Sequence, residues 1–92
     1  MEDSAHNRVV RRSPVALARA VADQIVILDT HTEQYYVLNR VGTEVWQLLD
    51  GSRDIEAIVT ALRTRYDVPE EILRADVTEL LEDLKARGLI VE

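Results

Sequence analysis

The chain has 92 residues, 47% hydrophobic and 30% charged, a formal net charge of −6 and no cysteine. That length holds one core and leaves no room for a second. The lack of cysteine excludes disulfides, thiolate metal sites and cysteine nucleophiles. Arg8, Arg11 and Arg12 outnumber Glu2 and Asp3 near the start, and the chain beyond Pro14 is acidic, opposite to the usual footprint of a nucleic-acid binder.

The first residues, "MEDSAHNRVVRRS", are polar around an isolated Val-Val pair and are expected to form a flexible N-terminal arm, residues 1–13, ahead of a domain at 14–92. No apolar run approaches a membrane span and no secretory signal is visible, so a soluble, cytoplasmic protein without membrane contact is expected. From Pro14 the pattern becomes that of a sheet. Val15, Leu17, Arg19 and Val21 alternate with alanines, which suits a strand with one better-packed face, although a helix is also compatible with it. Ile25 to Asp29 is β-branched and apolar, "THTEQ" is turn-like, and Tyr35 to Leu38 makes a second aromatic and β-branched run. A period of two sets Tyr35 and Val37 on one face and Tyr36 and Leu38 on the other. Both faces are apolar, and both are therefore expected to be covered.

Helices follow. Asn39 supplies an N-cap, and Val41, Val45, Leu48 and Leu49 recur at helical spacing beside Trp46, which is expected in the core. Asp50-Gly51 is read as the stop. Ile55, Ile58, Val59, Leu62 and Tyr66 form the stripe of a second helix starting near Asp54. A third starts at "DVPEE", with Pro69 in its first turn and Glu70 and Glu71 at its positive end. Leu73, Val77, Leu80, Leu81 and Leu84 make its apolar face, Gly88 closes it, and Leu89 to Val91 is an apolar tail that must pack or pair. The expected fold is α+β and winged-helix-like, a three-stranded antiparallel sheet followed by three helices.

Catalysis finds little support. His6 and His31 are the only histidines, and one histidine in a hairpin turn cannot build a metal site. No nucleophile-and-base spacing and no glycine-rich phosphate loop are present, and Asp76 and Glu79 read as a solvated helix face. The expectation is a non-enzyme with no cofactor. In a winged-helix regulator the third helix would enter DNA, yet here it carries Glu70, Glu71, Asp76, Glu79, Glu82 and Asp83 against Arg74, Lys85 and Arg87, which a phosphate backbone repels. No nucleic-acid partner is expected. Peptide binding remains: the Tyr35–Leu38 strand has no proline, lysine or obvious bulge to blunt an edge, so a disordered peptide could add to it as a further strand.

The residues "ILDTHTEQYYVLNRVGTEVWQLLDG" and "DIEAIVTALRTRYDVPEEILRADVTELLEDLKARGLI" resemble the PqqD-like family, the RiPP recognition elements that bind leader peptides of ribosomally made natural products. The resemblance rests on the hairpin ending in Tyr-Tyr-x-Leu-Asn, the glycine three residues on, the Trp-x-Leu-Leu-Asp-Gly helix end and the closing Gly-Leu-Ile, and it spans about residues 15–91. "QYYVLN" looks more like the free-standing leader-binding proteins of lasso-peptide systems than like PqqD itself. The resemblance implies a leader lying antiparallel along the third strand, against the third helix. It implies Gln34, Tyr35, Tyr36, Val37 and Leu38 as the pairing strand and Leu73, Asp76, Val77 and Leu80 as the helical wall. It further implies a leader peptidase or other modifying enzyme as partner. The function expected is delivery of the precursor to that enzyme, by a monomer or a strand-paired dimer. The alternatives are a winged-helix regulator or a PqqD-type chaperone for a radical enzyme.

Overall fold

The computed structural model describes residues 9–91. Strand β1 (Arg11–Arg12) precedes the meander of β2 (Ala16–Val21), β3 (Gln24–Asp29) and β4 (Gln34–Leu38). Helices α1 (Arg40–Gln47), α2 (Ile55–Arg63) and α3 (Glu70–Ala86) follow, and β5 (Ile90–Val91) ends the described chain. The expected α+β, winged-helix-like architecture is present. The antiparallel sheet has the order β2-β3-β4, which makes β2 and β4 its two edges. Among the described residues no helix is long and apolar enough to cross a membrane.

Side-chain alternation sorts β3 without exception: Ile25, Ile27 and Asp29 are buried toward the helices, and Val26 and Leu28 face outward and are half-buried. Asp29 is satisfied locally, accepting from the His31 and Thr32 backbone N–H groups in the hairpin turn. The His31 N–H holds its carboxyl below the ordinary 3.8, against the opposing pull of burial and with help from Thr32. The core joins Ile25, Ile27 and Leu38 of the sheet to Val45 and Trp46, to Ile58, Val59 and Leu62, and to Leu73, Val77, Leu81 and Leu84. Trp46 is buried as expected, with the Arg12 guanidinium over its ring and donating to its carbonyl oxygen at 2.8 Å.

The helix boundaries follow their caps. Asn39 accepts from the Gly42 N–H at 2.8 Å and Asp54 from the Ala57 N–H at 2.9 Å, each satisfying an orphan donor of the first turn. Pro69 is the residue just before α3 and not within its first turn. α1 stops at Gln47, ahead of the expected Asp50-Gly51 stop. Gly51 instead uses a φ of +86° to turn the chain back, and its N–H donates to Val10. At the end of α3, Gly88 takes a φ of +75° while Gly88 and Leu89 donate to Lys85 and Leu84, a Schellman closure that points the tail into the core.

Two expectations change. Residues 10–13 are not a loose arm: Val10 is buried in the core, Arg11 and Arg12 pair antiparallel with Val91 and Ile90, and the Ser13 N–H donates to Leu89. The packed unit therefore extends ahead of residue 14, because the apolar Leu89–Val91 tail needs a backbone partner and Val10 fills the space beside it. Residues 1–8 of the expected arm lie outside the described residues. The second change concerns β2, whose larger side chains point away from the helices: Leu17 and Val21 are 58% and 52% exposed, so no face of that strand is well packed.

Candidate functional site

Strand β4 pairs only with β3, and its other edge has no strand beside it among the described residues. Which of its backbone groups are free follows from ladder parity. The Thr30 N–H donates across to Val15 on the β2 side, so Val26 and Leu28 also turn their backbone groups toward β2. Ile25, Ile27 and Asp29 then turn theirs toward β4. Tyr36, set opposite Ile27, spends its N–H and C=O inside the sheet. The N–H and C=O of Tyr35 and Val37 point to the open edge.

Side chains alternate with the backbone. Leu38 is buried and Tyr36 half-buried on the inner face, while Tyr35 and Val37 lie on the outer face, 68% and 62% exposed. Gln34 is exposed at the start of the strand and its Oε1 accepts from the Tyr36 hydroxyl at 3.0 Å, which fixes the ring. At the other end Thr43 ties strand to helix: its Oγ1 accepts from the Ile25 N–H and donates to the Leu38 carbonyl. Together with the Asn39 cap, this sets where β4 stops and α1 starts.

Between β4 and α3 runs a cleft of about 410 Å³, bounded by Tyr36, Leu38, Asn39 and Gly42 on one side and Leu80, Asp83, Leu84 and Arg87 on the other. It continues into a second hollow of about 760 Å³ that shares Asn39, Gly42, Leu80 and Asp83 and adds Val41, Asp76, Glu79 and Glu82. The furrow is thus mixed beside Tyr36, where Leu38, Leu80 and Leu84 meet Asn39, Asp83 and Arg87, and acidic toward α1. Gly42 lies along it, where a Cβ would come tightly within 3.2 Å of Asn39 Oδ1 and 3.3 Å of Leu38 Cβ. Arg87 stands at the Tyr36 end, its guanidinium 4.5 Å from the Tyr36 ring centroid and ion-paired with Asp83 at 3.1 Å. The Tyr36 phenol and the Asp83 carboxylate hold the Arg87 guanidinium above its already high ordinary pKa, so it stays a cation.

The residues singled out from sequence therefore divide. Gln34 to Leu38 form the edge strand, and Leu80 and exposed Asp76 line the furrow. Leu73 and Val77 are buried in the core and line neither hollow. Asn39, Gly42, Asp83, Leu84 and Arg87 are wall residues that sequence reasoning passed over. A signal for the helical ones exists: 76, 80, 83 and 87 recur at helical spacing, a stripe about a quarter turn from the buried one. Among the described residues no cluster could hold a metal ion.

What the site can do is hold an extended chain. An added strand would hydrogen-bond to Tyr35 and Val37 and drop alternate side chains into the furrow. Even if each free backbone group gained a bond worth roughly 0.5–1.5 kcal/mol, the sum would be a few kcal/mol. Ordering a peptide costs about 2–5 kcal/mol or more. The furrow must supply the surplus, at roughly 1.5–3 kcal/mol for each large apolar side chain buried.

Comparison with known proteins gives this geometry a family. The family described as "Coenzyme PQQ synthesis protein D (PqqD)" matches residues 24–90. A "PqqA binding protein" of Rhodopseudomonas palustris (strain TIE-1) is 35% identical over 60 residues, 65% of this chain and 59% of that protein. The chain thus matches somewhat over half the length of that relative. Among solved structures, "TbiB1 in Complex with the TbiA(beta) Leader Peptide" superposes with a TM-score of 0.81 and 28% identity, over 87% of this chain and 93% of that one. "Lasso peptide synthetase B1 complexed with the leader peptide" shares the fold with a TM-score of 0.81 and 22% identity, over 90% of this chain and 98% of that one.

Proposed function

The chain belongs to the PqqD family, and from that premise we propose that it is a non-catalytic, cytoplasmic adaptor that captures the leader segment of a ribosomally made precursor peptide. The observation that carries this reading is the open edge of β4 beside a furrow whose near end offers Leu38, Leu80 and Leu84. The leader adds antiparallel to β4, its backbone bonded to Tyr35 and Val37, and its alternate side chains enter between Tyr36 and Leu38 on one side and Leu80 and Leu84 on the other. Holding the leader raises the effective concentration of the rest of the precursor at a processing enzyme, a leader peptidase or a cyclase, without chemistry of its own. A lasso-type precursor is the first choice, supported by the likeness to TbiB1 over nearly the whole of both chains. A PqqA-type precursor is the second, supported by the identity with the PqqA binding protein. A DNA-binding role is disfavoured by the Asp76, Glu79, Glu82 and Asp83 carboxylates along the furrow, which oppose a phosphate backbone.

Ladder parity makes the test sharp. Val37→Pro removes an N–H that faces the open edge and leaves the β3–β4 bonds in place, whereas Tyr36→Pro removes one inside the sheet. In fluorescence-anisotropy titrations with labelled leaders of both precursor types, Val37→Pro is expected to lose about tenfold or more in affinity, at least 1.4 kcal/mol, and to keep its helical circular dichroism. Val37→Ala should bind as the wild type does. Undiminished leader binding by Val37→Pro would sink the strand-addition reading, and the leader that binds more tightly identifies the precursor class.

A further inference from the structure

The solvent side of a small antiparallel sheet is ordinarily polar. Here two cross-strand rows are apolar except for Arg19. Leu17, Leu28 and Tyr35 stand side by side across β2, β3 and β4, and Arg19, Val26 and Val37 form the next row. Both faces of β4 were expected to be covered, yet Leu17, Tyr35 and Val37 are all more than half exposed, and Leu17, Arg19, Val26, Leu28 and Tyr35 line a hollow of about 280 Å³. A contiguous apolar patch of this kind marks an interaction surface.

Charge, area and position argue for one occupant. Among the described residues Arg19 has no ion-pair partner, and neither row contains a carboxylate. A second copy of the chain would bring another Arg19 and no counter-charge into the same small desolvated layer, which is costly. A partner with an apolar patch and a carboxylate opposite Arg19 is complementary. Three strands of this length, spaced about 4.8 Å apart, cover roughly 300 Å², well short of the ~800 Å² per partner of a stable interface. A fourth strand on the β4 edge would widen the face by about a third and place its own outward side chains level with Tyr35 and Val37.

We propose that this outer sheet face is part of the docking surface for the enzyme that processes the precursor, and that the bound leader strand enlarges it. The inference rests on the strand-addition reading of β4. The enzyme then binds the free adaptor weakly and the leader-loaded adaptor tightly, so a precursor is handed over only once it has been captured.

The test uses the full chain, labelled leader, and the purified enzyme that cleaves or modifies the same precursor. Leu17→Ser and Arg19→Glu lie on β2, away from the β4 edge. Both are expected to keep leader affinity within about twofold and to lose tenfold or more in enzyme binding to the leader-loaded adaptor, measured by biolayer interferometry. Wild-type binding to the enzyme should tighten at least tenfold when leader is saturating, and a carboxylate-to-lysine change in the enzyme should restore binding to Arg19→Glu. Undiminished enzyme binding by both variants would overturn the proposal. So would a wild-type dimer in sedimentation that either variant dissolves, since a second copy would then be the occupant. Leader binding is read in the same samples, so failure of the edge reading shows separately, as absent leader binding in the wild-type chain.

Discussion

Two stripes run along α3, about a quarter turn apart, and they live under different physical demands. Leu73, Val77, Leu81 and Leu84 are buried in the core and hold the molecule together, with Leu84 also reaching the furrow. Asp76, Leu80, Asp83 and Arg87 border the furrow beside β4. The first stripe is uniform because burial selects for apolar volume. The second is mixed because its side chains meet solvent, a tyrosine ring and, on the proposed function, a visiting peptide. Apolar periodicity therefore finds the buried stripe and, of the mixed one, only Leu80.

The comparison can be broken by exchanging effects between the stripes. The largest is expected from Leu81→Ala, which should destabilise the fold by about 2–5 kcal/mol in urea unfolding, through lost burial and a residual cavity. Its leader affinity, measured where the protein is still folded, should stay near wild type. Leu80→Asp should do the reverse: a loss of about tenfold or more in leader affinity, with a stability change of roughly 1 kcal/mol or less, because Leu80 is only partly buried. Equal losses of stability from the two substitutions would remove the distinction between the stripes.

A smaller effect is expected with pH. Burial pushes the Glu44 carboxyl up, but hydrogen bonds from Arg65 and Tyr66 outweigh it and hold the group below its ordinary 4.5. Asp29 is also held below its ordinary value. A carboxylate with a depressed folded-state pKa contributes stability that is fully present above its unfolded value and is lost as pH falls through the folded one. Thermal unfolding midpoints should therefore be level near neutrality and fall as pH drops below about 4.5. Glu44→Gln should flatten part of that decline.

The elements were legible in the sequence because local rules govern them. Asn39 caps its helix as read, α2 starts beside Asp54, the hairpin parity put Tyr36 and Leu38 on one face, and Gly88 closes α3. Of the furrow's borders, the edge strand Gln34 to Leu38 and the helix residues Asp76 and Leu80 were named from sequence, and Asp83 and Arg87 were not. Leu73 and Val77 were placed in the wall because the phase of a helix about its axis depends on what packs against it.

By itself the chain order of apolar periods determined a meander followed by three helices, since a strand and a helix each impose their own repeat on neighbouring residues. Only the tertiary structure decided which stripe of α3 faces β4, that Val10 and the Ile90–Val91 tail close the core together, and that Leu17, Tyr35 and Val37 stay uncovered. Those outcomes depend on contacts between residues far apart in the chain, and no local pattern encodes which face a distant element will cover.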